Sequence, residues 1–138
     1  MDIKYIEKED LPTIVQYENE TFTGHSRYSL AQLEDMLNND NYRLFGGYVK
    51  NELVAYLILH ILEDIDVIKI FTAKDYRRQG FASQLIERAK QMYTNSFILE
   101  VNENNVDAIS FYQKNGFVQV GIRKGYYNNG DNAIILKK

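Results

Sequence analysis

Apolar residues recur at every second position in some segments of the 138-residue chain, as in strands, and at every third or fourth position in others, as in helices. The first part of the chain predicts a strand followed by two helices. The segment "IKYIE" at positions 3–7 alternates in the manner of a strand. A helix is expected to begin near Pro12, because proline suits the first helical turn, and to end at about Thr21. Ser29 precedes "LAQLEDML", whose apolar residues share one helical face, so its hydroxyl is suited to cap a second, shorter helix.

The rest of the chain predicts further strands and two more helices. From Tyr42 onward, "YRLFGGYVK", "LVAYLILHIL" and "DVIKIFT" indicate an antiparallel meander of three strands. An amphipathic helix follows Gly80, then "SFILEV" as a buried strand, a helix over residues 106–115, and "FVQVGIR" and "NAIILKK" as final strands. The order β-α-α-β-β-β-α-β-α-β-β predicts an α/β fold of the α+β, mixed-sheet kind, with helices on both faces. We expect one domain over residues 1–138.

Composition removes several classes of chemistry from consideration. The chain has no cysteine and only two histidines, so we expect no metal site and no thiolate nucleophile. No apolar run approaches the roughly 20 residues of a membrane span, and no export signal is evident, so a cytoplasmic protein without a membrane partner is expected. A net charge of −3 argues against a direct nucleic-acid partner.

The segment "DYRRQGFASQLIERAK" places a glycine at the start of the third helix, directly after the chain's Arg-Arg pair. A helix N-terminus presents unpaired backbone N–H groups, and Gly80 removes a side chain where an anion would approach them most closely. These residues therefore indicate a phosphate site. The alternative, solvated arginines with Gly80 only easing a turn, stays open on this segment alone.

The segment Arg77–Ala82 fits the R/Q-x-x-G-x-G/A pattern of the acetyl-coenzyme A-dependent N-acetyltransferases of the GNAT superfamily, which the chain resembles over almost its whole length. The resemblance implies that this loop grips the pyrophosphate of acetyl-coenzyme A. It also implies that "IKIFT" and "FILEV" splay apart, so that the pantetheine pairs with the backbone of the first. The cofactor-contacting residues expected from it are Ile70, Phe71, Thr72, Arg77, Arg78, Gln79, Gly80, Phe81, Ala82 and Ser83.

The second half, "LEVNENNVDAISFYQKNGF" and "GIRKGYYNNGDNAIIL", resembles the RimI-type subfamily, which acetylates the N-terminal alanine of a ribosomal protein. By that resemblance Glu100 is the general base, Asn105 contacts the coenzyme, and Tyr112 both contacts the coenzyme and acts as general acid. Tyr126 and Tyr127 match a pair close to the peptide-binding groove.

Each of these residues also has a purely structural interpretation. Glu100 lies in a strand fit for burial, where an unpaired carboxylate is costly, which favours function; it can instead be salt-bridged or exposed at an edge. Asn105 can cap the following helix, and Tyr112 can be a core aromatic beside Phe111 and Phe117. The two tyrosines can simply line a hairpin.

The two histidines have no visible carboxylate or hydroxyl partner in the sequence. His25 is expected at the surface and His60 in a strand, both without a catalytic role.

The reaction implied by the resemblance is direct transfer of an acetyl group from acetyl-coenzyme A to a primary amine, most naturally the N-terminal α-amine of a protein. The segment "TFTGHSRYS" lacks the aromatic-proline-tryptophan stretch typical of members that act on the ribosomal protein, so the acceptor is less defined than the donor.

Three alternatives to this function remain at this stage. They are acetylation of a small amine (a polyamine, an amino acid or an antibiotic), a non-catalytic acetyl-coenzyme A-binding module, and a structural interaction domain. The expected partners are a protein N-terminus, such as that of a ribosomal protein, or a small amine, and we expect a monomer or a weak homodimer.

Overall fold

A computed structural model describes residues 1–138, apart from the side chain of His25. Its elements follow the predicted order, with three additional single turns of 3-10 helix at Lys8–Asp10, Gly24–Ser26 and Lys74–Tyr76. The strands are β1 (Asp2–Tyr5), β2 (Tyr42–Val49), β3 (Glu52–Ile61), β4 (Ile65–Thr72), β5 (Phe97–Asn102), β6 (Val118–Arg123) and β7 (Ala133–Lys137). The helices are α1 (Leu11–Thr21), α2 (Leu30–Leu37), α3 (Phe81–Met92) and α4 (Val106–Lys114).

The seven strands form one mixed sheet in the order β1-β2-β3-β4-β5-β7-β6. Every neighbouring pair is antiparallel except β4 and β5, which run parallel. These two strands are paired only at Ile65 with Phe97 and at Asp66 with Ile98, and beyond that point they separate. The mixed sheet and the splayed pair confirm the predicted fold class.

Each face of the sheet carries its own hydrophobic core, because successive side chains of a strand point to opposite faces. The first core lies under α3 and α4 and contains Leu85, Ile86 and Ala89 of α3 together with alternate residues of β4 and β5. The second lies under α1 and α2 and contains Leu11 and Leu33. The helices are thus divided between the two faces, as predicted.

The helix starts follow local signals in the sequence. Ser29 accepts a hydrogen bond from the Gln32 N–H at 3.2 Å, and the Gln32 side chain in turn accepts one from the Ser29 N–H at 2.8 Å. Pro12 lies in the first turn of α1. Leu30 differs from the pattern: it lies in the first turn of α2, where its side chain is 43% exposed, because the contact with the sheet begins at Leu33. Within the part of the chain that the structure describes, no helix is long and apolar enough to cross a bilayer.

Candidate active site

The loop before α3 passes twice through left-handed backbone conformation. Arg78 has a φ of 62° and Gly80 a φ of 81°, a region that suits glycine and strains other residues. Gly80 is the N-cap of α3 without a side-chain cap, and a Cβ placed on it would meet no atom within 4 Å. The first N–H groups of α3 therefore face open space and can receive an anion.

A cleft of about 770 Å³ opens in front of this loop, between α3, α4 and the end of β4. Nine of the predicted residues line it: Ile70, Thr72, Arg77, Arg78, Gly80, Phe81, Ala82, Ser83 and Tyr112. Arg77 is held at the rim, since its Nε–H donates to the Thr72 carbonyl at 3.0 Å. A smaller cleft of about 360 Å³ beside β1 and β2 contains none of the predicted site residues.

Three of the expected cofactor contacts do not line the large cleft. Phe71 is buried in the core on the opposite face, stacked on Tyr56 with the ring centroids 4.9 Å apart. Gln79 is exposed, and its side-chain amide donates to the Asp75 carbonyl at 3.4 Å. Asn105 is the N-cap of α4 and accepts a hydrogen bond from the Ala108 N–H at 3.2 Å. The capping role considered for Asn105 is therefore present.

The backbone of β4 presents hydrogen-bonding groups to the gap beside β5, of which the Thr72 carbonyl is occupied by Arg77. The Ala73 N–H donates to the Val54 carbonyl at 2.7 Å, and bonded pairs alternate along an antiparallel ladder. Phe71 therefore pairs with β3, whereas the backbone groups of Ile70 and Thr72 face the gap. These two residues present an exposed strand edge at the floor of the cleft.

Tyr112 is packed as a core aromatic but keeps its hydroxyl at the cleft. Its ring meets Phe111 and Phe117 edge to face, with centroids 5.1 and 5.4 Å away, and the residue is 8% exposed. The Tyr112 hydroxyl has no hydrogen-bond partner within the protein. Every fully enclosed polar side-chain atom that the structure describes does have a partner, so this hydroxyl is accessible, and it opens onto the cleft that Tyr112 lines. Burial raises the pKa of Tyr112 to about 12.

Glu100 is not buried, which removes the burial argument made for it from the sequence. On β5, Leu99 and Val101 face the core under α4, so Glu100 points to the opposite face. Its carboxylate accepts a hydrogen bond from Arg123 at 2.8 Å, and the two side chains form an ion pair whose glutamate is 31% exposed. The structure thus shows the salt-bridged, exposed position that the sequence left open as an alternative.

The Tyr126–Tyr127 pair lies beside Glu100 in the connection from β6 to β7. The two rings meet edge to face at 5.1 Å, and the Arg123 guanidinium lies 4.7 Å from the ring centroid of Tyr126. The nearby Glu100 carboxylate raises the pKa of Tyr126, and burial raises that of Tyr127.

The Asp131 carboxylate organises the same connection. It accepts hydrogen bonds from the amides of Asn102 at 3.1 Å and Asn129 at 2.9 Å. The bond from Asn102, with further bonds from neighbouring asparagines, lowers the pKa of Asp131. The hairpin that carries the tyrosines is thereby tied to the end of β5.

The predicted site is therefore divided between the two faces of the sheet. The Gly80 loop and Tyr112 lie on the face of α3 and α4, and Glu100 lies with Tyr126 on the face of α1 and α2. The splay between β4 and β5 is the opening that connects the two faces. Such an arrangement can hold one substrate on each side and bring their reacting atoms together at the gap.

Sequence reasoning missed most of the α4 contribution to the cleft. The residues concerned are Asp107, Ala108, Ser110, Phe111 and Lys114, and Tyr76 of the preceding loop also lines the cleft. Asp107, Ser110, Phe111 and Lys114 recur at the three- and four-residue spacing of one helical face, which is the signal that could have identified them. Arg123, the partner of Glu100, carries no comparable signal, because the pairing depends on the strand order β5-β7-β6.

Among the described residues, no group of three or more histidine, aspartate or glutamate side chains is placed to hold a metal ion. His60 lies in β3 with its ring stacked on Tyr42 at a centroid distance of 4.3 Å. The expectation for His25 falls outside the described side chains.

A model of the acetyltransferase (GNAT) family matches residues 11–117 of the chain. An N-alpha-acetyltransferase of Saccharolobus solfataricus is 34% identical over 112 residues, which cover 68% of this chain and 67% of that protein. The ribosomal protein bS18-alanine N-acetyltransferase of Escherichia coli K12 is 27% identical over 97% of this chain and 94% of its own length.

Solved structures agree with these matches. The crystal structure of the Escherichia coli ribosomal-protein-S18-alanine N-acetyltransferase is similar with a TM-score of 0.82 at 25% identity, covering 99% of this chain and 91% of that one. A putative streptothricin acetyltransferase from Bacillus anthracis in complex with acetyl coenzyme A is similar with a TM-score of 0.69 at 27% identity, over 75% of this chain and 65% of that one. The chain belongs to the GNAT acetyltransferase family and is an acetyl-coenzyme A-dependent N-acetyltransferase.

Proposed function

We propose that this enzyme acetylates the N-terminal α-amine of a protein, with Glu100 as the base and Tyr112 as the acid. The observation that supports this most strongly is the likeness to two proteins whose names specify α-amine acetylation, one of them over nearly its full length. The division of the site between the two faces of the sheet is compatible with a protein acceptor, which needs an open face. The proposed partner class is a protein N-terminus, such as that of a ribosomal protein.

The donor site is proposed to be the cleft beside α3. The residues present fit a phosphorylated ligand: Gly80 leaves the N–H groups of α3 uncovered, and Arg77 and Arg78 add positive charge at the rim. Lys114 lies on the same cleft, so three cations face one carboxylate, that of Asp107. Phe71, Gln79 and Asn105 stay expected contacts from the resemblance only, and for Phe71 the backbone pairing points away from the gap.

Acetyl-coenzyme A supplies an activated thioester. The acceptor nitrogen forms a bond to the thioester carbonyl carbon, and the bond from that carbon to sulfur breaks. The N–H groups of Ile70 and Thr72 face the gap, so either can donate to the carbonyl oxygen as it gains negative charge. Tyr112 holds a proton at the edge of the cleft, which it can pass to the departing sulfur. No residue of the chain forms a covalent bond in this scheme.

Glu100 is proposed to take the proton that the amine loses, directly or through a water molecule. Its carboxylate lies on the face opposite the donor cleft, which is the side from which an acceptor can reach the splay. An α-amine of pKa about 7.7 to 8.0 is already neutral to about a tenth at pH 7, whereas a lysine near 10.4 is neutral only to about one part in a thousand or less. Removing the proton of an α-amine therefore asks less of Glu100 than removing that of a lysine side chain.

Tyr126 and Tyr127 are proposed to border the peptide. Tyr126 is 47% exposed and lies beside Glu100, so a peptide main chain leading to the base would pass its ring. An aromatic side chain with a polar tip suits such a contact.

A small amine is the second candidate acceptor, supported by the likeness to the putative streptothricin acetyltransferase. Acetyl-coenzyme A offered with a panel of N-terminal peptides, polyamines, amino acids and antibiotic amines, with thiol release as the readout, separates the two. We expect the highest kcat/KM for peptides with a small, free first residue. A preference for polyamines or antibiotics would replace the proposed acceptor.

A further inference from the structure

Glu18 of α1 is the one charged side chain that is fully buried among the described residues. A carboxylate without partners is strongly disfavoured in such surroundings. It has three partners: Oε1 accepts from Lys69 Nζ at 2.6 Å and from the Tyr28 N–H at 2.9 Å, and Oε2 accepts from the Tyr56 hydroxyl. The proposed reaction uses none of these contacts.

The side chain of Lys69 extends from β4, and the segment that joins α1 to α2 surrounds its ammonium group. Besides Glu18, it donates to the Ser26 carbonyl at 2.5 Å. It also lies 3.7 Å from the ring centroid of Phe22 and 4.5 Å from that of Tyr28, and an ammonium over an aromatic face is attracted to it. One cation thus contacts both ends and the middle of the segment.

We name residues 22–28 the α1–α2 loop. Two backbone hydrogen bonds join residues within this loop, and both close local turns. The Ser26 N–H donates to the Thr23 carbonyl, and the Arg27 N–H donates to the Gly24 carbonyl. Both long-range hydrogen bonds described for this loop end on Glu18 or Lys69. Gly24 has a φ of 56° and the loop has no proline, so its own backbone constrains it little. The Glu18–Lys69 pair therefore supplies the long-range hydrogen bonds of the α1–α2 loop, in addition to the packing of Phe22 and Tyr28 on the second core.

The position of Lys69 connects this pair to the site. Lys69 follows a register shift in β4 and comes directly before Ile70, whose backbone faces the gap beside β5. The loop covers the face of the sheet that carries Glu100, opposite the donor cleft. Through its contacts with Lys69, the loop lies one residue away from the backbone that faces the gap, on the side from which the proposed acceptor arrives.

We propose that Glu18 and Lys69 are positioning residues that hold the α1–α2 loop in the shape that receives the acceptor. This inference rests on the proposed function and deepens it, because it assigns acceptor affinity to a buried ion pair that does not touch the donor. Removing the pair leaves the donor cleft and Tyr112 unchanged. It lets the loop leave the receptive shape, so the acceptor binds only the fraction of molecules that retain it.

The test compares Lys69→Met with the double variant Glu18→Gln/Lys69→Met. The double variant removes both charges and keeps the side-chain sizes, so it leaves no unpaired buried charge. Lys137→Met is the matched control, because Lys137 forms an ion pair with Asp64 at 3.3 Å on the strand β7, away from the loop. The acceptor is the amine that the unmodified enzyme turns over best in the panel above.

We expect the KM for the acceptor to rise by about tenfold in both variants, as it would if about a tenth of the molecules kept the receptive shape. The dissociation constant for acetyl-coenzyme A, measured by titration calorimetry, should stay within about threefold of that of the unmodified enzyme. The same limit should hold for kcat. Trypsin should cut after Arg27, an exposed loop residue, several times faster than in the unmodified protein or in Lys137→Met.

An unchanged acceptor KM in the double variant would overturn the proposal, even with faster cleavage at Arg27. A parallel loss of acetyl-coenzyme A affinity would overturn it as well, because it would show that the pair supports the whole fold. An unmodified enzyme that turns over no N-terminal peptide but acetylates a small amine would contradict the proposed function alone, and the loop would then be tested with that amine.

Discussion

At the scale of single residues, Tyr112 allows one hydroxyl to be removed with little change in packing. Tyr112→Phe keeps the edge-to-face contacts with Phe111 and Phe117. If the hydroxyl protonates the departing sulfur, turnover should fall by about 10² to 10⁴, and the smaller value is expected because a thiolate leaves readily. Acetyl-coenzyme A affinity should change by no more than a few-fold. Full turnover in the phenylalanine variant would make Tyr112 a core aromatic only.

The raised pKa of Tyr112 adds a pH criterion. A phenol whose pKa rises to about 12 on folding favours the neutral form, so its contribution to stability is complete below about pH 10 and is lost as the pH rises through about 12. Tyr112 therefore carries its proton at every pH below about 10. The pH profile of Tyr112→Phe should keep the shape of the unmodified profile in that range, at a lower level.

Glu100 is a different case, because its carboxylate is engaged by Arg123. Glu100→Gln should depress turnover most at low pH, where the amine is mostly charged, and least where the amine is already neutral. Glu103→Gln, just beyond the end of β5, is the matched control and should keep the unmodified rate. Steady-state rates across pH measure both variants, and a Glu100→Gln profile identical to the unmodified one would remove Glu100 from the mechanism.

At the scale of elements, the N-terminus of α3 depends on Gly80 for two separable reasons: its φ of 81° and the open space before it. Gly80→Val should cost about 1–2 kcal/mol through the left-handed backbone and should abolish the thermal shift caused by acetyl-coenzyme A. Gly130→Val has the same strain, with a φ of 89° and nothing within 4 Å of an added Cβ, but lies in the β6–β7 hairpin. It should lose stability and keep the shift. A shift retained in Gly80→Val would make the glycine a turn residue only.

The elements themselves were largely predictable because their signals are local. Ser29, Pro12 and Gly80 mark helix starts at positions the structure confirms within a residue or two, and the strands follow apolar runs. What local signals could not give is which strands lie side by side. Glu100 was expected to be costly to bury because its neighbours are apolar; the pairing of β5 with β7, and of β7 with β6, instead brings Arg123 to it.

At the scale of the whole molecule, the two cores explain why the site has two halves. The sheet separates a donor cleft under α4 from a face covered by α1, α2 and the α1–α2 loop. The Glu18–Lys69 pair joins positions 51 residues apart in sequence, so it was not predictable from spacing. The resemblance predicted the donor loop, since that motif is contiguous, and left the acceptor side undefined where the chain departs from the pattern.

Because the cleft is formed by α3, α4 and β4 together, a bound donor should stabilise the complete fold. At about 100 times its dissociation constant, acetyl-coenzyme A should add roughly 2.7 kcal/mol to the free energy of unfolding. A thermal melt with and without the ligand measures this. Acetate at the same concentration is the control and should leave the melting temperature unchanged. A melting temperature that acetyl-coenzyme A does not raise would contradict the proposed donor site.

The central claim, acetylation of a protein N-terminus, is tested most directly by locating the acetyl group on a single peptide. The peptide carries a free alanine at its first position and one internal lysine, and it is incubated with the enzyme and acetyl-coenzyme A. Fragmentation mass spectrometry should place the acetyl group on the α-amine, with the lysine unmodified at matched times. Acetylation confined to the lysine, or a peptide left unmodified while a polyamine is acetylated, would contradict the claim.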